Sequence, residues 1–233
     1  ILFLIDKYGS RKSILNPENA SIVTFGDSYA FCRQVEDSDT WQNKLSFKIS
    51  SSVLNYGVGN YGIDQALLRF DKVYIPKNCK YSVLAFVPET ISRIQSYWKH
   101  YLEFGNTFAF KPRFILNGEK LKLIKQYIKD FEDYDNVKTN RHNIRKYDRF
   151  YSEKFKKYSF SFPYIFSFFK NFKYNSKIFT DLTFNFFIKD SKINEKLFDY
   201  VMKNNLINSQ KLYNEEESTK LLKAINRKIY YKI

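Results

Sequence analysis

Residues 21–28 read SIVTFGDS, a β-branched apolar run that ends in a Gly-Asp-Ser turn sequence. A short apolar run bounded by a turn predicts a buried strand. Two similar runs follow at 53–56 and 81–87, and a helical pattern separates each strand from the next. Strands and helices alternating at this spacing predict an α/β fold with a parallel sheet and right-handed crossovers.

The first helical pattern lies between the first two predicted strands. Residues 40–49 place Trp41, Leu45 and Ile49 at helical spacing, which predicts a helix. Asp39 precedes it and is the expected N-cap, because a carboxylate accepts hydrogen bonds from the first free amides.

Three later segments also carry local structural cues. Residues 64–73 form an amphipathic pattern and predict a second helix. Asn117 and Gly118 lie between apolar flanks, which predicts a hairpin. Asn214 precedes three glutamates and predicts a helix that runs through 221–229.

Each predicted strand ends in a distinctive loop. The loops read GDS at 26–28, NYGVGNYGIDQ at 55–65 and PETISR at 88–93. Four of the seven glycines fall in the first two loops, although glycine is scarce elsewhere in the chain. Ligands bind at the carboxyl ends of parallel strands, so we expect the functional site at this edge.

The first loop offers a candidate nucleophile, Ser28. A nucleophilic serine needs an exposed strand-to-helix turn, a base within reach and donors for the developing oxyanion. Gly26 lets the chain turn, Asp27 can cap the turn, and a helix N-terminus would supply Ser28 with free amides. Gly-Asp-Ser is also a common turn sequence, so the tripeptide alone does not separate a nucleophile from a structural turn.

The second loop offers backbone donors. Gly57 and Gly59 allow tight geometry, so an amide near Gly59 or Asn60 can point at a substrate oxygen. A phosphate-binding loop is the rival interpretation. The loop lacks the GxGxxG order and the lysine of a P-loop, which disfavours that rival.

The third loop adds polar side chains. Thr90 can donate a hydrogen bond to the same oxyanion. Arg93 can hold Glu89 or a substrate carboxylate, and a simple surface ion pair is an equally good interpretation.

Together, the three loops resemble the SGNH or GDSL-type hydrolase family over residues 20–95. The likeness rests on IVTFGDSYAFC, VLNYGVGNYGIDQALLRF and VLAFVPETISR. KPRFILNGEKLKL at 111–123 also resembles an insertion in members that modify surface polysaccharides or lipids. The resemblance implies a three-layer α/β/α flavodoxin-like parallel sheet, here with a large basic aromatic insertion. It also implies a serine esterase or acyltransferase for acetyl or short acyl esters on carbohydrate or lipid, with no cofactor or metal.

The resemblance assigns roles to individual residues. Ser28 is the nucleophile, and its own amide helps to form the oxyanion hole. The second donor, usually a glycine, falls on Asn60 or its neighbour Gly59, and Thr90 replaces the usual asparagine of the third block. The residues in supporting positions are Gly26, Asp27, Gly57, Glu89 and Arg93.

The catalytic histidine of the family is the largest departure. The family carries it in a D-x-x-H block near the C-terminus. His100 has Tyr97 three residues before it, and His142 has Thr139 there, so neither fits. We therefore expect the chain to be incomplete, with the histidine beyond Ile233.

The sequence suggests a division into four parts. Residues 1–19 form a lead-in that could be the remnant of an anchor or signal, and 20–99 form the first βαβαβ part of the domain. Residues 100–190 form an insertion or lid, and 191–233 return to the domain as a helix.

The charge of the chain is unevenly distributed. Residues 1–99 hold 12 basic and 9 acidic side chains, whereas 100–233 hold 27 basic and 15 acidic. Lysine outnumbers arginine by 30 to 9, and base and phosphate recognition favours arginine. We therefore expect no nucleic-acid partner, and no RNA-binding motif is present in the sequence.

A second function remains open beside the enzyme. A non-catalytic module of the same fold would lack the base and use its positive part to bind an acidic glycan or a membrane surface. The aromatic run at 160–172 fits a lid or packing insert better than a membrane-surface element. The two cysteines fit the cytoplasm and the family layout fits the cell envelope, so compartment and oligomeric state stay undetermined.

Overall fold

The computed structural model describes the chain in segments: residues 2–103, 106–137, 139–156, 162–170, 172–173, 175–176 and 214–230. Contacts divide the chain into two units. The sheet unit comprises 1–94, 112–124 and 215–233, and the aromatic unit comprises 95–111 and 125–214.

The centre of the sheet unit is a three-stranded parallel sheet, as the sequence predicts. The strands are β1 (Ala20–Gly26), β2 (Ser52–Asn55) and β3 (Tyr81–Ala85), in the order β2-β1-β3. From β1 the chain continues to β2 on one side of β1, and from β2 it crosses to β3 on the other side. Right-handed crossovers therefore put the two connections on opposite faces of the sheet.

The remaining elements are helices and one hairpin. In the sheet unit these are α1 (Ser28–Phe31), α2 (Trp41–Ile49), α3 (Ile63–Phe70), β4 (Arg113–Asn117) and β5 (Lys120–Ile124). In the aromatic unit they are α4 (Lys99–Leu102), α5 (Arg141–Lys146) and α6 (Tyr164–Lys170), and the sheet unit ends in α7 (Glu215–Tyr230). Shorter 3-10 or π turns occupy Pro17–Asn19, Asp37–Asp39, Pro88–Gln95, Phe131–Asn136 and Tyr151–Phe155.

Three of the local predictions are confirmed. The second predicted helix is α3, which buries Leu67 and Phe70. The predicted hairpin is the β4–β5 pair, where Gly118 takes a φ of +61° in the turn. The last predicted helix is α7, whose Leu221 and Ile225 are fully buried.

Helix α2 is present, but the predicted N-cap is wrong. Thr40 caps the helix, because its Oγ1 accepts a hydrogen bond from the Asn43 amide at 3.3 Å. Asp39 lies in the preceding 3-10 turn and pairs with Lys44 at 2.7 Å. The N-cap is therefore the hydroxyl of Thr40, one residue after the carboxylate that the sequence predicts.

The buried face of α2 is polar. Gln42, Asn43 and Ser46 are buried, whereas Trp41 and Ile49 are exposed. The Gln42 side-chain amide donates to the carbonyl of Ala30 at 2.6 Å. This helix is therefore held by buried hydrogen bonds, which its apolar spacing does not indicate.

Two apolar clusters form the core of the sheet unit. The first joins β1, β2 and α3 through Ala20, Val23, Phe25, Leu54, Tyr56, Ala66 and Phe70. The second joins α3, the hairpin and α7 through Ile63, Leu67, Ile94, Phe114, Leu221 and Ile225. The hairpin and α7 therefore belong to the unit that carries the sheet, although the sequence division sets the hairpin within the insertion.

Arg11 ties the N-terminal segment to the sheet unit. Its side chain is 1% exposed, and its Nε donates to Asp37 Oδ1 at 2.6 Å. Its terminal nitrogens donate to the carbonyls of Phe31, Cys32 and Val35 at 2.6–2.8 Å. These carbonyls lie at or just after the C-terminus of α1, where carbonyls lack intrahelical partners, so Arg11 supplies each with a short hydrogen bond.

Gly26 sets the approach of β1 to β3. Its φ is +151°, and a Cβ at this position would lie 1.8 Å from the carbonyl oxygen of Ala85. Gly26 pairs with Ala85 in the parallel register. The turn that leads to Ser28 therefore requires a residue without a side chain.

Exposed apolar residues also occur in the described part of the aromatic unit. Phe162, Ile165 and Phe166 are each more than 70% exposed, so these side chains are not part of a packed core. Residues 157–161 and 177–213, which include parts of the predicted insertion and helical return, lie outside the described residues. Within the described residues, no helix is long and apolar enough to cross a bilayer.

We predict that Gly26→Ala lowers the free energy of unfolding by more than about 3 kcal/mol, because the new methyl group meets backbone that cannot move aside. Gly118→Ala is the control, since Gly118 has a positive φ but open space around it, and should cost about 1–2 kcal/mol. Urea denaturation of both variants measures the difference. Equal losses would contradict the steric explanation.

We also predict that Arg11→Met lowers the free energy of unfolding by about 3–5 kcal/mol, because it leaves Asp37 and three carbonyls without their buried partner. Lys44→Met removes the solvent-exposed ion pair with Asp39 and should cost at most about 1 kcal/mol. Thermal unfolding monitored by circular dichroism compares them. A small effect at Arg11 would mean that water replaces the guanidinium.

Candidate functional site

The three predicted loops lie together at the carboxyl edge of the sheet. The Val58 amide donates to the Gly26 carbonyl at 3.1 Å, which joins the second loop to the end of β1. The Arg93 guanidinium donates to the Tyr61 carbonyl at 3.0 Å, which joins the third loop to the second. Loops distant in sequence thus form one continuous surface.

Ser28 is the first residue of α1 and is partly exposed. Asp27 is the N-cap, and its Oδ1 accepts from the Tyr29 amide at 2.8 Å. The Ser28 amide lies at the helix start, where backbone donors have no intrahelical partner. Among the described residues, no group hydrogen-bonds the Ser28 hydroxyl, so the hydroxyl is available but has no base.

The Asp27 carboxylate is buried, at 1% exposure. Its Oδ2 has no hydrogen-bond partner within the described part of the chain, although its Oδ1 caps α1. Burying an unpaired carboxylate oxygen is unfavourable. Asp27 therefore caps α1 with one carboxylate oxygen and keeps the other buried and unbonded, directly beside Ser28.

Gly57 brings the second loop against α1. A Cβ at Gly57 would lie 2.5 Å from the Phe31 amide nitrogen and 2.7 Å from the Ala30 carbonyl carbon. The Gly57 amide donates to Asn55 Oδ1 at 2.9 Å. The loop backbone is therefore fixed on the helix that begins with Ser28.

Gly59 and Asn60 supply free backbone donors. Neither amide donates to any group among the residues described. Asn60 has a φ of +67°, a left-handed conformation that asparagine tolerates better than most residues. Gly59 also has space around it, since the nearest atom to an added Cβ is Arg33 Nη2 at 3.5 Å.

Thr90 lies in the 3-10 turn of the third loop and is 2% exposed. Its hydroxyl donates to the Val87 carbonyl at 2.8 Å. A hydroxyl has a single proton to donate, so Thr90 would have to break this bond before it could donate to an oxyanion.

Glu89 and Arg93 do not pair with each other. Arg93 instead donates to Tyr61, and its Cβ lies 3.1 Å from the position that a Cβ on Gly62 would take. Glu89 is exposed, and its carbonyl accepts from Ser92 at 3.0 Å. Arg93 therefore has a positioning role for the second loop, whereas Glu89 faces solvent.

The two histidines of the chain both belong to the aromatic unit, whereas Ser28 belongs to the sheet unit. Burial lowers the pKa of His100 below its usual range, which favours the neutral ring at pH 7. The sheet unit itself contains no histidine.

The described residues contain no group of three or more histidine, cysteine or carboxylate side chains that could hold a metal ion. Two structural residues of the site were missed from the sequence, Arg11 and Asn55. Asn55 stands at the strand end before Gly57, a position where a side chain can bond local backbone. Arg11 lies in a segment without a recognisable pattern, so the residues around it do not indicate its structural role.

Comparison of the chain with protein-family models, curated proteins and solved structures finds no match. The function of the site is therefore inferred from its own geometry and from the motifs in its loops.

Both cysteines are free and half-buried. Burial raises the pKa of the Cys32 thiol, and backbone hydrogen bonding and the charge of Arg11 oppose this only in part. Burial likewise raises the pKa of Cys79. Neither thiol is therefore activated as a nucleophile at neutral pH.

We predict that iodoacetamide alkylates both thiols at least severalfold more slowly in the native protein than in urea at pH 8. The folded pKa lies above the unfolded one, so the native thiolate fraction is smaller until the pH rises through the folded pKa. Mass spectrometry of the modified peptides measures both rates. Equal rates in the two states would contradict the inferred pKa direction.

Proposed function

We propose that the chain is a serine hydrolase or acyltransferase of the SGNH or GDSL type, with Ser28 as its nucleophile. The finer fold assignment, a flavodoxin-like α/β/α arrangement, is part of this proposal. The strand order β2-β1-β3 supports it, because this order creates a switch point at β1 where ligands bind.

The observation that carries the proposal is the set of unbonded groups on the two loops that meet at the end of β1. Its hydroxyl is partly exposed and unbonded, and the amides of Gly59 and Asn60 are unpaired on a loop fixed to the same strand end. Acyl transfer requires a nucleophilic hydroxyl and free backbone donors at one site, and these loops supply both kinds of group.

The chemistry follows from these groups. The Ser28 oxygen forms a bond to the ester carbonyl carbon, and the amides of Ser28 and of Gly59 or Asn60 stabilise the resulting oxyanion. The carbon–oxygen bond to the alcohol then breaks, and a general base passes the serine proton to the departing alcohol. Water or an acceptor hydroxyl resolves the acyl-enzyme and restores Ser28.

The substrate class is an acetyl or short acyl ester on a carbohydrate or lipid. It rests on the motif resemblance, because fold and loop geometry alone do not select an acyl group. The proposal needs neither a metal nor a cofactor.

A second candidate function has a specific observation in its favour. The unit that carries Ser28 has no histidine, and no described residue acts as a base on its hydroxyl. A non-catalytic module of this fold would bind an acidic glycan or a membrane surface and would show no acyl-enzyme chemistry.

We predict that the full-length protein hydrolyses p-nitrophenyl acetate and that Ser28→Ala reduces the rate at least about 10³-fold, as loss of a nucleophile does. Ser38→Ala is the matched control, because Ser38 is exposed and lies outside the three loops. A fluorophosphonate probe should label Ser28 in the parent and no residue in the variant.

Full activity in Ser28→Ala would overturn the enzyme proposal. No hydrolysis and no labelling in the full-length parent protein would favour the binding module.

A further inference from the structure

The aromatic unit contains a cavity of about 510 Å³ that the proposed chemistry at Ser28 does not use. Its walls include Trp98 and Tyr101 from the start of the unit, Phe108 and Tyr134 from later turns, and Arg141 and Arg145 from α5. Small-molecule sites are usually concave, largely apolar and of this size, with a few placed polar groups.

The aromatic walls are held in place by their own polar atoms. Trp98 Nε1 donates to the Thr107 carbonyl at 2.9 Å, and the Tyr134 hydroxyl donates to the Phe108 carbonyl at 2.6 Å. The Trp98 ring also stacks on Phe110, with centroids 5.1 Å apart and planes 9° from parallel. The rings are therefore preorganised, and little ordering remains for a ligand to impose.

The charges at the cavity are positive and unbalanced. Arg141 is exposed and has no hydrogen bond or ion pair among the described residues. Arg145 hydrogen-bonds the Tyr101 side chain, and its buried Nε has no partner in the described part of the chain. Arg145 lies over the Tyr151 ring at 4.5 Å. No carboxylate lines the cavity, so an anionic ligand meets two guanidinium groups and no opposing charge.

The ring geometry favours a sugar over a nucleotide. Trp98 crosses Tyr101 at 77° and Phe108 crosses Tyr134 at 71°, so neither contact leaves parallel faces that would sandwich a base. Specific base recognition also uses amide or carboxylate side chains, which the cavity wall lacks. A sugar ring needs only one aromatic face for its C–H groups, and the arginines can bind a carboxylate on the ring.

We propose that this cavity binds a carboxylate-bearing sugar unit of an acidic glycan. The charge of the aromatic unit agrees with this, since residues 95–111 and 125–214 hold 20 basic and 11 acidic side chains and would draw a polyanion toward the unit. The proposal goes beyond the chemistry at Ser28 and does not depend on it.

Trp98 fluorescence tests the proposal directly. The sequence has two tryptophans, so the full chain with Trp41→Phe reports on Trp98 alone, and Trp41 lies in α2 of the sheet unit. Trigalacturonate should change the emission with a saturable Kd below about 1 mM. Maltotriose and uridine monophosphate should bind at least about tenfold more weakly. Tighter binding of either one would overturn the assignment.

Two pairs of variants locate the binding. Arg141→Gln should weaken trigalacturonate binding at least about tenfold, as expected for loss of a charged hydrogen bond, whereas Lys146→Gln on the same helix should change it by less than about twofold. Phe108→Ala should weaken it severalfold. Phe131→Ala is its control, since both rings contact Tyr134 but only Phe108 lines the cavity.

Equal losses in both members of a pair would mean nonspecific attraction and would overturn the proposal. The readout is binding and involves no turnover. If trigalacturonate does not bind, the proposal for Ser28 still stands. If Ser28 shows no esterase activity, the proposal for the cavity still stands.

Discussion

The close approach of backbone at Gly26 is the constraint on which the candidate site depends. The end of β1 runs so near to Ala85 of β3 that a Cβ would lie 1.8 Å from a carbonyl oxygen. A second close approach, at Gly57, presses the next loop against α1. Because glycines remove side chains at the end of the strand and beside the helix, the second loop packs against the turn that carries Ser28.

Buried polar groups do as much as apolar packing to hold this arrangement. Arg11 satisfies the carbonyls that follow α1, and Gln42 bonds the same region from the polar face of α2. Unpaired buried polar groups are costly, so these bonds fix the turn around Ser28 in position. The buried Oδ2 of Asp27, next to Ser28, has no such partner among the described residues.

The two units differ in the kind of recognition they can support. The sheet unit offers a hydroxyl and backbone donors, which suit the chemistry of one small acyl group. The aromatic unit offers hydrogen-bonded rings and two arginines at one cavity, which suit the binding of a larger anionic ligand. An enzyme acting on esters of an acidic glycan would have use for both, and each can be measured without the other.

The sequence by itself determined the strands, the parallel α/β class, α3, the hairpin and the last helix, because periodicity, turn residues and chain chirality are local properties. It also located the three loops and Ser28, since strand ends in a parallel sheet meet at one edge. Only the tertiary structure decided that Thr40 rather than Asp39 caps α2, that Thr90 bonds Val87, and that Arg93 holds Tyr61. Those outcomes depend on which donors and acceptors meet once the chain has folded, and residue spacing alone does not indicate these pairs.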